Sequence, residues 1–434
     1  MKLRIALFLL AFAAPLHAET NIQEVTSPGG IKAWLVEEHG IPFTSLTINF
    51  KGGTSLDAAG KRGAVNLMTA LIEEGSGDLD SQGFAAARDG LAASFSFDSD
   101  QDGVSVSAKF LTENQDQAMA LLRDALVNPV FDQPSIDRVR EQVLSNLRSD
   151  AKDPSAIGSN LSRASTFGDH PYGSNGSGTL ESVVKLTRDD IVAAHKSALA
   201  RDRITVGAAG DITAEQLGVL LDKLLGDLPA TGAEQPSRVE PMLKGGITVS
   251  PFPGPQSTVL FGQGGMGFTD PDYYAASVLN EIIGGGRFTA RLMSEVREKR
   301  GLTYGIGTSL ANFDHSEVMV GQFQASNEKV AEAIKVIREQ WALIAKEGVS
   351  QKDLDDAKTY MTGSYPLRFD GNSRIASILV GMQDLGLTSD YPKTRNARIE
   401  AVTLEDVKRV AARLLKPEDL QFIVVGQPTG VVNE

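Results

Sequence analysis

Arg297 and Tyr304 are the residues in this sequence best suited to act on a substrate. They stand seven positions apart, placed across an expected helix end and a Gly turn. A planar guanidinium bridges two acceptors and a neutral phenol donates one hydrogen bond, so both suit carbonyl oxygens. A reading without chemistry is equally open: Arg297 pairs with Glu295 or Glu298 on the surface and Tyr304 packs. Upstream, Gly284-Gly285-Gly286 opens a loop into the helix that carries Arg297. Glycines ahead of a helix can cradle phosphate. No strand–Gly–Lys–Ser/Thr pattern accompanies these three, which favours a loop placed against substrate.

Other catalytic sets are missing. The chain has no Cys, which removes thiol catalysis, thiolate metal sites and iron–sulfur clusters. No Gly-x-Ser-x-Gly elbow presents a serine nucleophile. Beyond residue 18 the histidines are His39, His170, His195 and His315, and no two share a helix face. His39 precedes a Gly turn, His170 opens a His-Pro-Tyr-Gly turn, His195 lies in an Ala-rich helix and His315 follows Asp314 at a strand end. Glu73-Glu74 and Asp355-Asp356 read as solvated helix faces.

The N-terminus reads as a secretory signal over 1–18. Lys2 and Arg4 precede an apolar run from Ile5 to Ala14, and Ala18 offers a small residue for cleavage. That run is too short for a bilayer core of roughly 30 Å. The expectation is export, with a bacterial periplasm as the compartment and no membrane anchor. The net charge of −13 becomes −15 when Lys2 and Arg4 are subtracted. Such a surface repels nucleic acid, and no Lys/Arg-rich run argues otherwise.

The elements that must position Arg297 and Tyr304 come in two copies. Leu186-Thr-Arg-Asp-Asp-Ile191 and Val402-Thr-Leu-Glu-Asp-Val407 match at an offset of 402 − 186 = 216, which also pairs Gly210 with Gly426. Phe110-Leu-Thr-Glu-Asn114 and Phe323-Gln-Ala-Ser-Asn327 match at 323 − 110 = 213. Val330, Ile334, Ile337, Trp341 and Ile344 form one apolar helix face, as do Ala118, Leu121, Leu122 and Ala125. Strands at 31–36 and 45–50 beside long helices predict α+β domains rather than a βαβ alternation. The division is 19–228 and 244–434, joined by a Pro/Gly-rich linker at 229–243.

The duplicated halves, the His170-Pro-Tyr-Gly173 turn, the Gly284 to Leu292 loop and helix, and Arg297 to Tyr304 together resemble the pitrilysin/insulinase-like peptidases, the M16 family. The resemblance covers nearly the whole chain after residue 18. It implies two homologous α/β-roll domains of mostly antiparallel sheet, the LuxS/MPP-like metallohydrolase fold, making half of a clam shell. It also implies that Arg297 and Tyr304 hold substrate near the scissile bond, and that the Gly284–Gly286 loop handles substrate.

Zinc peptidases of this kind carry His-x-x-Glu-His on a helix of the first domain, which sets two imidazoles and a general base on one face. The matching helix here is 63–74, and its glycines place the motif on Asn66, Thr69 and Ala70. A third ligand falls near Asn146, with Glu141 close by. None of these side chains replaces its counterpart. The resemblance therefore implies a non-metal subunit, with zinc in a partner bearing His-x-x-Glu-His and an unfolded peptide as substrate. An inert scaffold or peptide-binding protein is the alternative.

Overall fold

The computed structural model describes residues 21–434, so the expected signal segment lies outside the described residues. The first half carries β1 (Gln23–Thr26), β2 (Lys32–Glu37), β3 (Phe43–Lys51), β4 (Gly75–Ser76), β5 (Leu79–Asp80), β6 (Ser94–Ser99), β7 (Gly103–Leu111) and β8 (Ile204–Gly210). β4 and β5 make a small ribbon, and the others form a sheet in the order β1-β2-β8-β3-β7-β6. The second half carries β9 (Ile247–Pro251), β10 (Gln256–Gly264), β11 (Ile306–Phe313), β12 (Ser316–Ser326) and β13 (Gln421–Gly426), in the order β11-β12-β10-β13-β9.

Read in reverse, the second sheet repeats the first: β9 matches β2, β13 matches β8, β10 matches β3, β12 matches β7 and β11 matches β6. Each sheet has one parallel pair, β2 with β8 and β13 with β9, and is otherwise antiparallel. The α+β architecture expected from the sequence is thus the fold, in two copies, each with its own apolar core.

The register confirms one repeat and corrects the other. Ser45 pairs with Ala209 and Thr258 with Val425, which fits the offset of 216 between β8 and β13. Leu46 pairs with Ala108, whereas Val259, its counterpart, pairs with Phe323. Phe323 therefore stands where Ala108 stands, two residues from Phe110. Side chains alternate faces along a strand, so a slip of two keeps both phenylalanines in the core and leaves the sequence match intact.

Each half lends a helix to the other. The helix Pro154–Phe167 lies on β10 and β13, and the helix Asn372–Asp384 lies on β8 and β3. Glycine permits both crossings. A Cβ at Gly207 would stand 2.2 Å from the Ala376 carbonyl oxygen, and one at Gly158 would stand 2.5 Å from Leu260 Cδ1. Polar pairs then fix the first crossing, including Ser45 with Ser373 at 2.9 Å and Asn49 donating to Asp384 at 2.8 Å. Residues 229–243 follow the surface without regular structure. They bond to both halves, the Arg201 amide donating to Pro229 O and the Val239 amide to His315 O. Among the described residues no helix is long and apolar enough to cross a membrane.

Candidate functional site

The helix that carries Asn66, Thr69 and Ala70 spans Ala64–Leu71 and starts at Gly63, whose φ of +96° suits glycine. The Asp57 carboxylate, 1% exposed, accepts from the Gly63 and Val65 amides at 2.8 Å each. Burial pushes this carboxyl up, and those two amides oppose it. Arg62, 3.4 Å from Asp57, also donates to the carbonyls of Pro171 at 2.9 Å and Ser174 at 3.1 Å. One guanidinium thus ties the helix start to the His-Pro-Tyr-Gly turn. The helix is shorter than the expected 63–74. The Ile72 amide turns back to Thr69 O and the Glu74 amide to Leu71 O, tightening the chain into β4.

On this helix Thr69 is buried and spends its hydroxyl on the Val65 carbonyl at 2.8 Å. Asn66 is half-buried and Ala70 exposed. Asn146 lies exposed on the packed helix Gln133–Asp150 and accepts from Gln142 Nε2 at 2.9 Å. A bonded hydroxyl, two amides and a methyl do not make a zinc site. Glu73 and Glu74 pair with Arg88 and Arg138 respectively. Among the described residues no three His, Cys, Asp or Glu side chains are grouped to hold a metal ion.

The histidines have structural partners. His39 sits between Asp211 at 2.7 Å and Glu37 at 3.2 Å, and its hydrogen bond to Asp211 raises its pKa. His195 is buried against Leu126 O at 2.8 Å, and burial lowers its pKa. Sequence spacing hides one approach: His170 and His315, from different halves, have ring centroids 6.4 Å apart. Between them Tyr172 donates to the Asp102 carboxylate and accepts from the His315 amide at 3.2 Å. Burial raises Asp102 to about 6, with Asp314 adding repulsion and the Tyr172 hydrogen bond opposing both.

Arg297 lies on a π-helical turn, Met293–Glu298, a rare geometry often met at functional sites. The turn ends at Gly301 with φ +61°, where the Gly301 amide donates to Arg297 O at 2.8 Å and the Leu302 amide to Val296 O at 3.0 Å. The surface pairing of Arg297 with Glu295 does not form. Burial alone raises the Glu295 carboxyl, but Lys299 at 2.6 Å and Arg300 at 2.8 Å hold it below its usual range. Arg297 instead lies over the Phe288 ring, 5.0 Å from its centroid, and no acceptor among the described residues bonds its guanidinium. Tyr304 does not pack: it is 89% exposed, two residues before β11.

Tyr304 lines an open groove of about 810 Å³ together with Gly284 and Gly286. Its floor is the face of β10, β11 and β12 turned away from the core, presenting Thr258, Leu260, Gly307, Gln322 and Gln324. Ser155, from the helix of the first half, forms one wall. Arg297 and Gly285 do not line this groove. Gly284 has a packing reason as well, since a Cβ there would stand 2.4 Å from Thr308 Oγ1. The sequence reading missed Phe288, which the Gly-Gly-Gly-Arg-Phe string displays, and the two glutamines. Their alternation in Gln322-Phe323-Gln324, with only Phe323 in the core, was the available signal.

Residues 33–179 match the model of the insulinase family, peptidase family M16, and residues 185–361 match the model described as the peptidase M16 inactive domain. The chain is 25% identical over 430 residues to the non-peptidase homolog YmxG of Helicobacter pylori, covering 98% of each. It is 26% identical to an uncharacterized zinc protease of Mycobacterium leprae, over 91% of this chain and 89% of that one. Among solved structures, a peptidase M16 inactive domain from Pseudomonas fluorescens superimposes with a TM-score of 0.88 at 28% identity, covering 95% of this chain and 99% of the other.

Proposed function

Because the chain belongs to the M16 peptidase family and lacks metal ligands at the motif positions, we propose that it is the metal-free subunit of a two-chain zinc peptidase. Its halves, 19–228 and 244–434 about the linker 229–243, form one side of a chamber for unfolded peptide. An exported partner bearing His-x-x-Glu-His supplies the other side and the zinc. The observation that carries this reading is the state of the two donors. Arg297 is held on a ring with its acceptor-seeking edge unspent: Glu295 is taken by Lys299 and Arg300, and among the described residues the adjacent Glu298 makes no ion pair with it.

Arg297 and Tyr304 bind peptide carbonyls, orient the scissile bond and donate to the oxygen on which negative charge develops. Such donors act most strongly when fixed in advance, and the ring beneath Arg297 and the π turn with its Gly301 cap fix this one. The acidic chain is exported, with a bacterial periplasm as its compartment. In the mixed complex, Arg297→Ala and Tyr304→Phe should each lower turnover about tenfold or more without preventing assembly. Unchanged kinetics in both variants would remove the role.

A second reading has its own support, since a relative that spans the same length is named a non-peptidase homolog. On that reading the chain is an inert scaffold or peptide binder. An intact chain purified from its native extract without a metal-bearing companion would favour it.

A further inference from the structure

Two glycines in the groove have no reason within the fold. At Gly286 and Gly305 a Cβ would meet nothing within 4 Å, and neither has the positive φ that excludes other residues. Glycine in a regular position costs about 0.5–1 kcal/mol relative to alanine. At Gly307 the only atom within 4 Å of a Cβ is Gly284 O, at 3.3 Å. The corresponding positions of the first half are filled. Ser94 and Lys109 pair on β6 and β7 where Gly305 stands one step before β11, and Ser96 with Ser107 where Gly307 stands with Gln322. Side chains were dispensable on one sheet and present on its twin, so the explanation lies in what approaches the second sheet from outside.

The rest of the groove says what that is. Its lining includes no Asp, Glu, Lys, Arg or His, although the chain as a whole carries 42 Lys and Arg and 55 Asp and Glu. Gln322 is exposed with no hydrogen-bonded partner for its amide among the described residues, and Gln324 makes one long bond, from Nε2 to Thr258 Oγ1 at 3.4 Å. Each amide both donates and accepts, as does a peptide backbone. Leu260 and Val320 add apolar surface.

We infer that this groove selects an extended peptide segment with uncharged side chains, its backbone lying against Gly305 and Gly307 and bonded by Gln322 and Gln324. The inference rests on the peptide-chamber reading and adds the substrate class. A charged side chain entering the groove loses water and finds no counter-charge, which makes it the disfavoured occupant.

Calorimetric titration of the purified full chain tests this with three unfolded peptides: one of Ser, Thr, Gly and Leu, one with a central Asp pair and one with a central Lys pair. The neutral peptide should bind, and both charged ones should bind at least about tenfold more weakly. Gly305→Val should abolish neutral-peptide binding while the melting temperature stays that of the parent chain, and Gly307→Val should abolish it with some loss of melting temperature, because its Cβ presses on Gly284 O. Gln322→Glu should shift preference toward the Lys peptide. Equal binding of all three, lost in the glycine variants, would overturn the charge selection and leave the chamber standing. Binding of none by the parent chain, alone or with a metal-bearing partner, would overturn both.

Discussion

The two halves share a topology and differ in what they leave open. In the first, a helix follows β3 and carries Asn66, Thr69 and Ala70, and the nearby edge strand β6 shows Ser94, Ser96 and Asp98 on its outer face. In the second, the matching helix Tyr273–Gly284 leads into the Gly284–Gly286 loop and the π turn of Arg297, and β11 begins beside bare glycine. One half holds a helix firmly without ligands, and the other holds donors without acceptors. The contrast teaches that a helix without metal ligands can still be held firmly: Asp57 and Arg62 fix its first turn.

The largest effect expected from disturbing this comparison is at that framework. Arg62→Ala leaves the buried Asp57 carboxylate without its cation and releases three carbonyls of the 171–175 turn. Breaking a buried pair in this way costs about 3–5 kcal/mol. Denaturant unfolding should show that loss, and a change within about 0.5 kcal/mol, the range of an ordinary surface substitution, would mean that the pair is incidental.

The reciprocal helix crossings sharpen the contrast further. Gly207→Ala pushes a methyl into the Ala376 backbone, which cannot yield, and should cost about 1–3 kcal/mol. Gly158→Ala meets first the tip of Leu260, which can rotate away, and should cost less. Equal losses would show that both crossings are equally rigid.

The smallest effect is a pH dependence at the junction of the halves. Asp102 is raised from 3.8 to about 6 by burial among Tyr172, Asp100, Asp314 and their neighbours. A raised carboxyl binds its proton more tightly in the folded state, so its contribution is fully present below about pH 4 and is lost as pH rises through about 6. Asp102→Asn removes that loss. The stability of the parent chain relative to this variant should therefore fall between about pH 4 and 6, and a flat difference across that range would contradict the assignment.

Much of this was legible in the sequence because periodicity reports burial. Val330, Ile334, Ile337, Trp341 and Ile344 are all buried on one helix face, and the repeat of 216 residues marks two equivalent strands. What escaped was set by contacts distant in sequence. No local pattern announces that helix Pro154–Phe167 covers the sheet of the other half, or that His170 and His315 meet there. The helix 63–74 was read too long because Ile72 continues its apolar pattern, while backbone bonds at 72 and 74 end it. At the site, residue types pointed to Arg297 and Tyr304, but only the fold shows that Phe288 supports the first and that the second stands in the open.

Metal content and peptidase activity, measured on the chain alone and again after mixing with a companion bearing His-x-x-Glu-His, test the central claim most directly. The lone chain should hold no stoichiometric zinc and cleave nothing, and the mixture should show both zinc and cleavage. Tightly bound zinc in the lone chain, accompanied by cleavage of an unfolded peptide, would contradict that claim.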